Sequence, residues 1–232
     1  MATIKHILFV EDEPALAEIV KESLIMKGYK VSHCKTGRET ISLHTDQDFD
    51  LVLLDVMLPD ATGFELAKQL RQANLQVPII FLTAKNQPSD VINGFESGAN
   101  DYIKKPFSLE ELAIRIKVLL STGRQLEVNS LSSATKTIAI GKYEFIYPKA
   151  ILSLNGQIRK LTIREAEILQ LLILNKEHIL TRDIILNQLW QNNDYFSGRS
   201  LDVFITKLRK YLKGDPCVCI VNVRGQGYKL MC

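Results

Sequence analysis

The residue types best suited to chemistry in this chain are three carboxylates, a hydroxyl and an ammonium: Glu11, Asp12, Asp55, Thr83 and Lys105. The first four stand at or just after the end of a short, mostly apolar run, and Lys105 follows the short strand pattern Asp101-Tyr-Ile-Lys104. Three carboxylates brought together repel one another and raise each other's pKa, a cost that a divalent cation removes. An all-oxygen site with few protein ligands and open positions suits Mg²⁺, which keeps waters and takes phosphate oxygens. Beside such an ion a carboxylate can attack phosphorus and form an aspartyl-phosphate. Asp55, which closes the run Leu51-Val-Leu-Leu-Asp55, is the candidate nucleophile. The Thr83 hydroxyl and the Lys105 ammonium can then bind the phosphoryl oxygens. The plainer reading, that Asp55 only caps a strand or turn, leaves the other four residues without a reason to be where they are.

These groups act together only if the fold lines them up. Over residues 1–120 strand and helix patterns alternate. Strands are predicted at Ile7–Val10, Tyr29–Cys34, Leu51–Asp55, Val77–Leu82 and Asp101–Lys104. Helices are predicted from Pro14 to about Lys27, Thr36 to about Thr45, Gly63 to about Ala73, Ser89 to about Ser97, and Ser108 to about Leu120. Five βα units with crossovers of this length imply a parallel doubly wound sheet. Such sheets bind ligands outside the carboxyl ends of their strands, which is where all five residues fall.

The 232 residues carry a net charge of +3 that hides an asymmetry. Residues 1–122 hold 13 Lys+Arg against 17 Asp+Glu, net −4; residues 123–232 hold 16 against 9, net +7. An acidic half joined to a basic half suggests two domains, the second meeting a polyanion. No run of 18 apolar residues occurs, and the N-terminus enters a strand pattern directly, so a cytoplasmic protein without membrane contact is expected. The four cysteines, Cys34, Cys217, Cys219 and Cys232, lack CxxC spacing and read as free thiols of a reducing compartment.

Residues 4–121 resemble the receiver domain of two-component response regulators. The resemblance rests on Glu11-Asp12, on Asp55 in Asp-Val-Met-Leu-Pro-Asp-Ala-Thr-Gly-Phe, on Thr83-Ala84, and on Asp101-Tyr-Ile-Lys-Lys105-Pro106-Phe107, in the family's order. It implies a flavodoxin-like five-stranded parallel α/β fold with Asp55 as phosphoacceptor. Glu11, Asp12, Asp55 and the carbonyl of Met57 would serve Mg²⁺, Thr83 and Tyr102 would be a switch pair that moves inward on phosphorylation, and Lys105–Pro106 would be cis. It also implies a dimer face bearing Glu96, Asp101, Glu111, Arg115 and Lys117, with charge pairs of Glu96 with Lys117 and Asp101 with Arg115. Val91, Asn100 and Thr122 depart from the charges that relatives often carry there. Phosphatases of the haloacid dehalogenase type share a Mg²⁺-bound aspartate after a strand. They need a second acid two residues on, where this chain has Met57, so a dedicated enzyme is not expected.

Ser121–Thr137 is polar and Ser/Thr-rich, and residues 122–137 read as a linker between a domain over 1–121 and a second over 138–232. Short strand patterns follow at Ile138–Ile140, Tyr143–Tyr147, Ile151–Leu154 and Ile158–Leu161, with Asn155-Gly156 as a hairpin turn. Helices are predicted from Thr162 to about Leu174, from Thr181 through Trp190, and from about Arg199 to Lys213, with a polar loop over Gln191–Gly198. A last hairpin turns at Arg224-Gly-Gln-Gly227. The third of these helices has a core stripe of Leu201, Ile205, Leu208 and Leu212, and presents Arg199, Val203, Thr206, Lys207 and Lys210 on the opposite face. Cations there can meet phosphates or guanine edges, and Val203 a thymine methyl.

Residues 136–232 resemble the OmpR/PhoB-type winged helix-turn-helix, an α+β domain. The residues that carry it are Leu161-Thr-Ile-Arg-Glu165, Arg199-Ser-Leu-Asp-Val-Phe-Ile-Thr-Lys-Leu-Arg209-Lys and Val223-Arg-Gly-Gln-Gly-Tyr228. The resemblance adds Phe204 and Arg209 to the DNA-side candidates, with Asn222 and Arg224 in the wing. It implies phosphorylation by a sensor histidine kinase, a homodimer when active, double-stranded DNA as ligand and RNA polymerase as partner. The alternative reading is a DNA-binding regulator that works without phosphorylation and uses the first domain as a constitutive dimerisation module.

Overall fold

The computed structural model describes the backbone of residues 4–73, 76–84, 88–132, 137–190 and 195–232, and side chains over the same residues except 88–89, 91, 122–132, 148 and 195–197. The chain divides into two compact units, Met1–Leu120 and Ser121–Cys232.

The first unit alternates β1 (His6–Val10), α1 (Pro14–Met26), β2 (Lys30–Cys34), α2 (Gly37–Asp46), β3 (Leu51–Asp55), α3 (Gly63–Ala73), β4 (Ile79–Thr83), α4 (Pro88–Glu96), β5 (Asp101–Lys104) and the start of α5 (Leu109–Ser132). The five strands form one sheet in the order β2-β1-β3-β4-β5, and every pair is parallel. The doubly wound parallel sheet read from the sequence is the one observed. β1, β3 and β4 are buried along their whole length because helices cover both sheet faces. Ile7, Phe9, Leu51, Leu53, Ile80 and Leu82 meet Val20, Leu24, Leu112, Ile116 and Leu119 in one core. Thr36 caps α2 through its hydroxyl, which accepts the Glu39 N–H at 3.2 Å.

α5 continues to Ser132, where the sequence reading ends the helix near Leu120 and begins a linker. Arg124, Gln125, Leu126 and Glu127 are all good helix formers, and composition alone does not distinguish a polar helix from a polar connection. Residues 133–136 lie outside the described residues.

At the amino end of the sheet, the Phe49 ring lies 4.5 Å from His6 and 6.1 Å from His44. Burial lowers the pKa of both imidazoles below 6.5; the Lys30 charge adds to this at His6, and Asp48 opposes it at His44. Below that pH the unfolded chain takes up protons that the folded chain resists. This contribution is therefore fully present above pH 6.5 and is lost as pH falls through the folded pKa values. Urea midpoints should drop between pH 7.5 and 5. The drop should shrink in a His6→Gln, His44→Gln double variant; an equal drop would refute the assignment.

The second unit holds an antiparallel sheet of β6 (Ile138–Ile140), β7 (Tyr143–Ile146), β8 (Ile151–Leu154) and β9 (Gln157–Lys160). Asn155 and Gly156, both at positive φ, make the β8–β9 turn. Three helices follow: α6 (Ile163–Leu174), α7 (Arg182–Trp190) and α8 (Tyr195–Tyr211). Thr162 and Glu165 form a reciprocal capping box at α6. β10 (Leu180–Thr181), β12 (Gly227–Met231) and β11 (Cys219–Val223) complete the domain as a second antiparallel sheet, ordered β10-β12-β11. α8 begins at Tyr195, so the end of the expected loop is helical; residues 191–194 lie outside the described residues. Gly227 lets β12 approach β10, since a Cβ there would sit 2.1 Å from the Leu180 carbonyl oxygen. The four cysteines are free thiols.

Candidate phosphoacceptor site and nucleic-acid interface

The carboxyl edge of the parallel sheet gathers the five residues singled out by type. Carboxylate oxygens of Glu11, Asp12 and Asp55 lie within 4.8 Å of one another, with Asp12 exposed and the other two buried. Lys105 reaches in from the turn after β5. Its Nζ donates to both oxygens of Glu11, at 2.9 and 2.7 Å, and to Asp55 at 2.5 Å. The Lys105–Pro106 peptide is cis. Asp55 also accepts the Met57 N–H at 2.8 Å. Gly63 at the start of α3 crosses directly over this loop: a Cβ there would lie 2.2 Å from the Asp55 carbonyl oxygen. Asp60 ties the same loop to α2 by accepting the N–H groups of Gly37 and Arg38 at 2.8 and 3.1 Å.

Burial pushes the Glu11 carboxyl up to about 7, opposed by its hydrogen bond to Lys105 and reinforced by the Asp55 charge. Burial works to lower the Lys105 pKa, but its bonds to Asp55 and Glu11 outweigh that and hold it above its usual value. The donor set is oxygen-rich, tightly clustered and open at Asp12, which fits a small hard dication.

Thr83 ends β4 and is fully buried. Tyr102 is 2 % exposed and hydrogen-bonded to Thr83. Burial, with the Asp90 and Asp55 charges, raises its hydroxyl pKa. Gly94 on α4 leaves room for the ring, as a Cβ would stand 3.3 Å from both Phe81 and Tyr102.

Two dimer-face candidates are already paired within the chain. Asp101 and Arg115 are buried together and pair within one chain at 3.1 Å, and Arg115 also holds Glu111 at 2.9 Å. Folding places α5 against β5 and brings these charges together within one chain. Glu96 and Lys117 are exposed. Asn100 is wholly buried and accepts from Arg71 at 2.7 Å and from the Ile79 N–H at 3.0 Å, a bracing role that explains a neutral amide there. The side chains of Val91 and Thr122 lie outside the described ones.

In the second unit, Leu201, Ile205, Leu208 and Leu212 are all buried, as the periodicity requires. Thr206 and Lys210 are exposed, and Arg199 and Val203 half-exposed. Asn222 and Arg224 are exposed on the β11–β12 hairpin. Three other DNA-side candidates point elsewhere. Phe204 is 1 % exposed and packs 6.1 Å from the Trp190 ring, so it belongs to the core. At about 100° per residue it falls only about 60° from Leu201, on the edge of the apolar stripe. Lys207 is half-buried and pairs with Glu165 at 3.5 Å. Arg209 donates through Nε to the Ile220 carbonyl at 2.8 Å and ties α8 to β11.

Residue types alone left Arg182 unnoticed. It grips Asp202 on α8 at 2.6 Å, the Gly198 carbonyl at 2.8 Å and the Tyr228 hydroxyl, and Tyr228 in turn donates to Asp202 at 2.5 Å. This network joins α7, α8 and β12, and so sets the helix relative to the wing. Asp202, a lone acid between basic residues of α8, was the available signal.

A phosphoacceptor-like acidic pocket on a parallel sheet, joined to a winged helix-turn-helix, defines a class of regulator. The chain belongs to the OmpR/PhoB family of two-component response regulators: residues 7–117 match the response regulator receiver domain, and residues 156–230 match the C-terminal domain of transcriptional regulatory proteins. Among curated relatives, the transcriptional regulatory protein RprY of Bacteroides fragilis is 43% identical over 97% of this chain and 94% of its own length. TrcR of Mycobacterium tuberculosis is 36% identical over 97% of this chain and 86% of its own. Among solved structures, a RitR mutant superposes with a TM-score of 0.74 at 26% identity, covering 98% of this chain and 99% of that one. DrrB of Thermotoga maritima, an OmpR/PhoB homolog, gives 0.52 at 28% identity over 99% and 100%. The protein is thus a two-component regulator of transcription. Among the described residues no helix is long and apolar enough to cross a membrane.

Proposed function

We propose that Asp55 accepts a phosphoryl group from a sensor histidine kinase, and that this controls homodimerisation, binding to double-stranded DNA and action on RNA polymerase in the cytoplasm. The observation that carries the reading is Lys105 bridging Asp55 and Glu11 beside the exposed Asp12. An Asp55 oxygen forms the new bond to phosphorus, and the kinase imidazole leaves. Glu11, Asp12, Asp55 and the Met57 carbonyl would hold Mg²⁺, which supplies charge neutralisation of the phosphoryl oxygens. Lys105 then turns from the carboxylates to the phosphoryl group, while Thr83 and Tyr102 relay its presence to the α4–β5–α5 side. Glu96 and Lys117 are its exposed charges for a partner copy. The receiver unit spans 1–121, a connection 122–137, and the DNA-binding unit 138–232.

Arg199, Val203, Thr206 and Lys210 of α8 would meet the major groove, and Asn222 and Arg224 the neighbouring backbone or minor groove. Gly225 at positive φ forms the tip of the hairpin that presents Arg224. The test is fluorescence anisotropy on a selected operator, with and without acetyl phosphate. Phosphodonor should tighten wild-type binding, and equal affinities under both conditions would refute phosphoryl control. Arg224→Ala should weaken binding about tenfold and flatten the salt dependence by roughly one counterion. An unchanged salt slope would remove the wing from the interface.

A further inference from the structure

We propose that His33 is a positioning residue of the phosphoacceptor site, holding the turn that presents Glu11 and Asp12; the inference rests on the metal-site reading above. His33 and Cys34 end β2, beside the end of β1. The Cys34 carbonyl accepts the Glu11 N–H at 3.0 Å, and His33 Nε2 contacts the Glu11 carbonyl oxygen at 2.8 Å. A carbonyl only accepts, so Nε2 carries the proton and donates. Consecutive residues of one strand therefore hold both backbone polar groups of Glu11. The His33 ring is braced in turn by Phe9, 5.6 Å away in the core.

The turn needs such a tie. Glu13 caps α1 with no side-chain hydrogen bond, Pro14 has no N–H to give, and the Glu13 N–H reaches Glu11 Oε1 only at 3.4 Å. Asp12 is exposed, so its carboxylate is placed by the backbone on either side of it. If the Glu11 carbonyl is released, the turn gains freedom that must be lost again when a cation binds. The cost falls on metal affinity and not on phosphoryl transfer once the metal is bound.

The experiment compares the full-length wild type, His33→Leu and His33→Gln. Mn²⁺ affinity is read from the electron paramagnetic resonance signal of the free ion. His33→Leu, which lacks the donor, should bind Mn²⁺ about tenfold more weakly. His33→Gln, whose amide nitrogen reaches the place of Nε2, should stay within about threefold of the wild type. With acetyl phosphate, the half-saturating Mg²⁺ concentration for His33→Leu should rise by the same factor, and the plateau rate should hold. Wild-type Mn²⁺ affinity in His33→Leu, or a loss in His33→Gln equal to that in His33→Leu, overturns the proposal. So does a fall in the plateau rate without a change in half-saturation, which is what a general loss of structure would give. A wild type that binds no Mn²⁺ ends the metal-site reading and this inference with it; a wild type that binds, alongside an unaffected His33→Leu, ends only this inference.

Discussion

Asp55→Asn is expected to gain no mass on incubation with acetyl phosphate and Mg²⁺, where the wild type gains one phosphoryl group. An amide oxygen is a poor nucleophile toward phosphorus and carries no charge for a dication to organise. The fold should survive the change. Asn retains an oxygen to accept the Met57 N–H, and Lys105 keeps Glu11 as its partner. The variant is close in size, and the close approach of Gly63 is to the Asp55 backbone, which the substitution leaves unchanged. Intact-protein mass spectrometry reads the result directly. Uptake by the variant equal to the wild type would sink the assignment of Asp55. Absence of uptake in both, in folded protein, would call for the same comparison with the cognate kinase as donor.

Glu167→Ala should destabilise the second unit by about 3–5 kcal/mol, the usual cost of leaving a buried charge without its partner. Arg164 and Glu167 are 1 % and 3 % exposed and lie 2.9 Å apart on α6. Arg164 also donates to the Leu189 carbonyl at 2.7 Å, and its guanidinium sits 4.5 Å over the Trp190 ring. The pair thus ties α6 to the end of α7. Removing the carboxylate strands the guanidinium. Replacing both with apolar residues, as in Arg164→Met with Glu167→Leu, removes the charge as well and should recover most of the loss. Urea unfolding followed by Trp190 fluorescence measures all three proteins. A single variant within about 1 kcal/mol of the wild type would show that the pair is not held as described.

The elements were readable where local pattern and tertiary demand agree. Leu51–Asp55 is an unbroken apolar run because both faces of β3 are covered, and the run stops where the sheet opens to the site. Thr162 and Glu165 announce α6 because a capping box is a local device. Polar stretches read less well. Residues beyond Leu120 have the composition of a connection, yet α5 runs on to Ser132.

The candidate site divides in the same way. Glu11, Asp12, Asp55, Thr83 and Lys105 were legible because strand ends in a parallel sheet share one edge, whatever the side chains do next. Partners are another matter. Nothing in the local pattern shows that Arg115 reaches Asp101 within the chain; only the packing of α5 on β5 brings them to 3.1 Å. Phe204 and Lys207 flank the core stripe of α8, where a turn of the helix decides between groove and interior.

By itself, then, the sequence determined the two-domain plan, the parallel sheet, the acidic edge around Asp55 and the basic helix of the second unit. These follow from periodicity, capping and charge, which are properties of neighbours along the chain. The tertiary structure alone decided that Lys105 spans Glu11 and Asp55, that Tyr102 lies inward on Thr83, that Phe204 is core, and that His33 holds the Glu11 carbonyl. Each of these joins residues on different elements or depends on which face is covered, and burial and pairing exist only once the elements have packed.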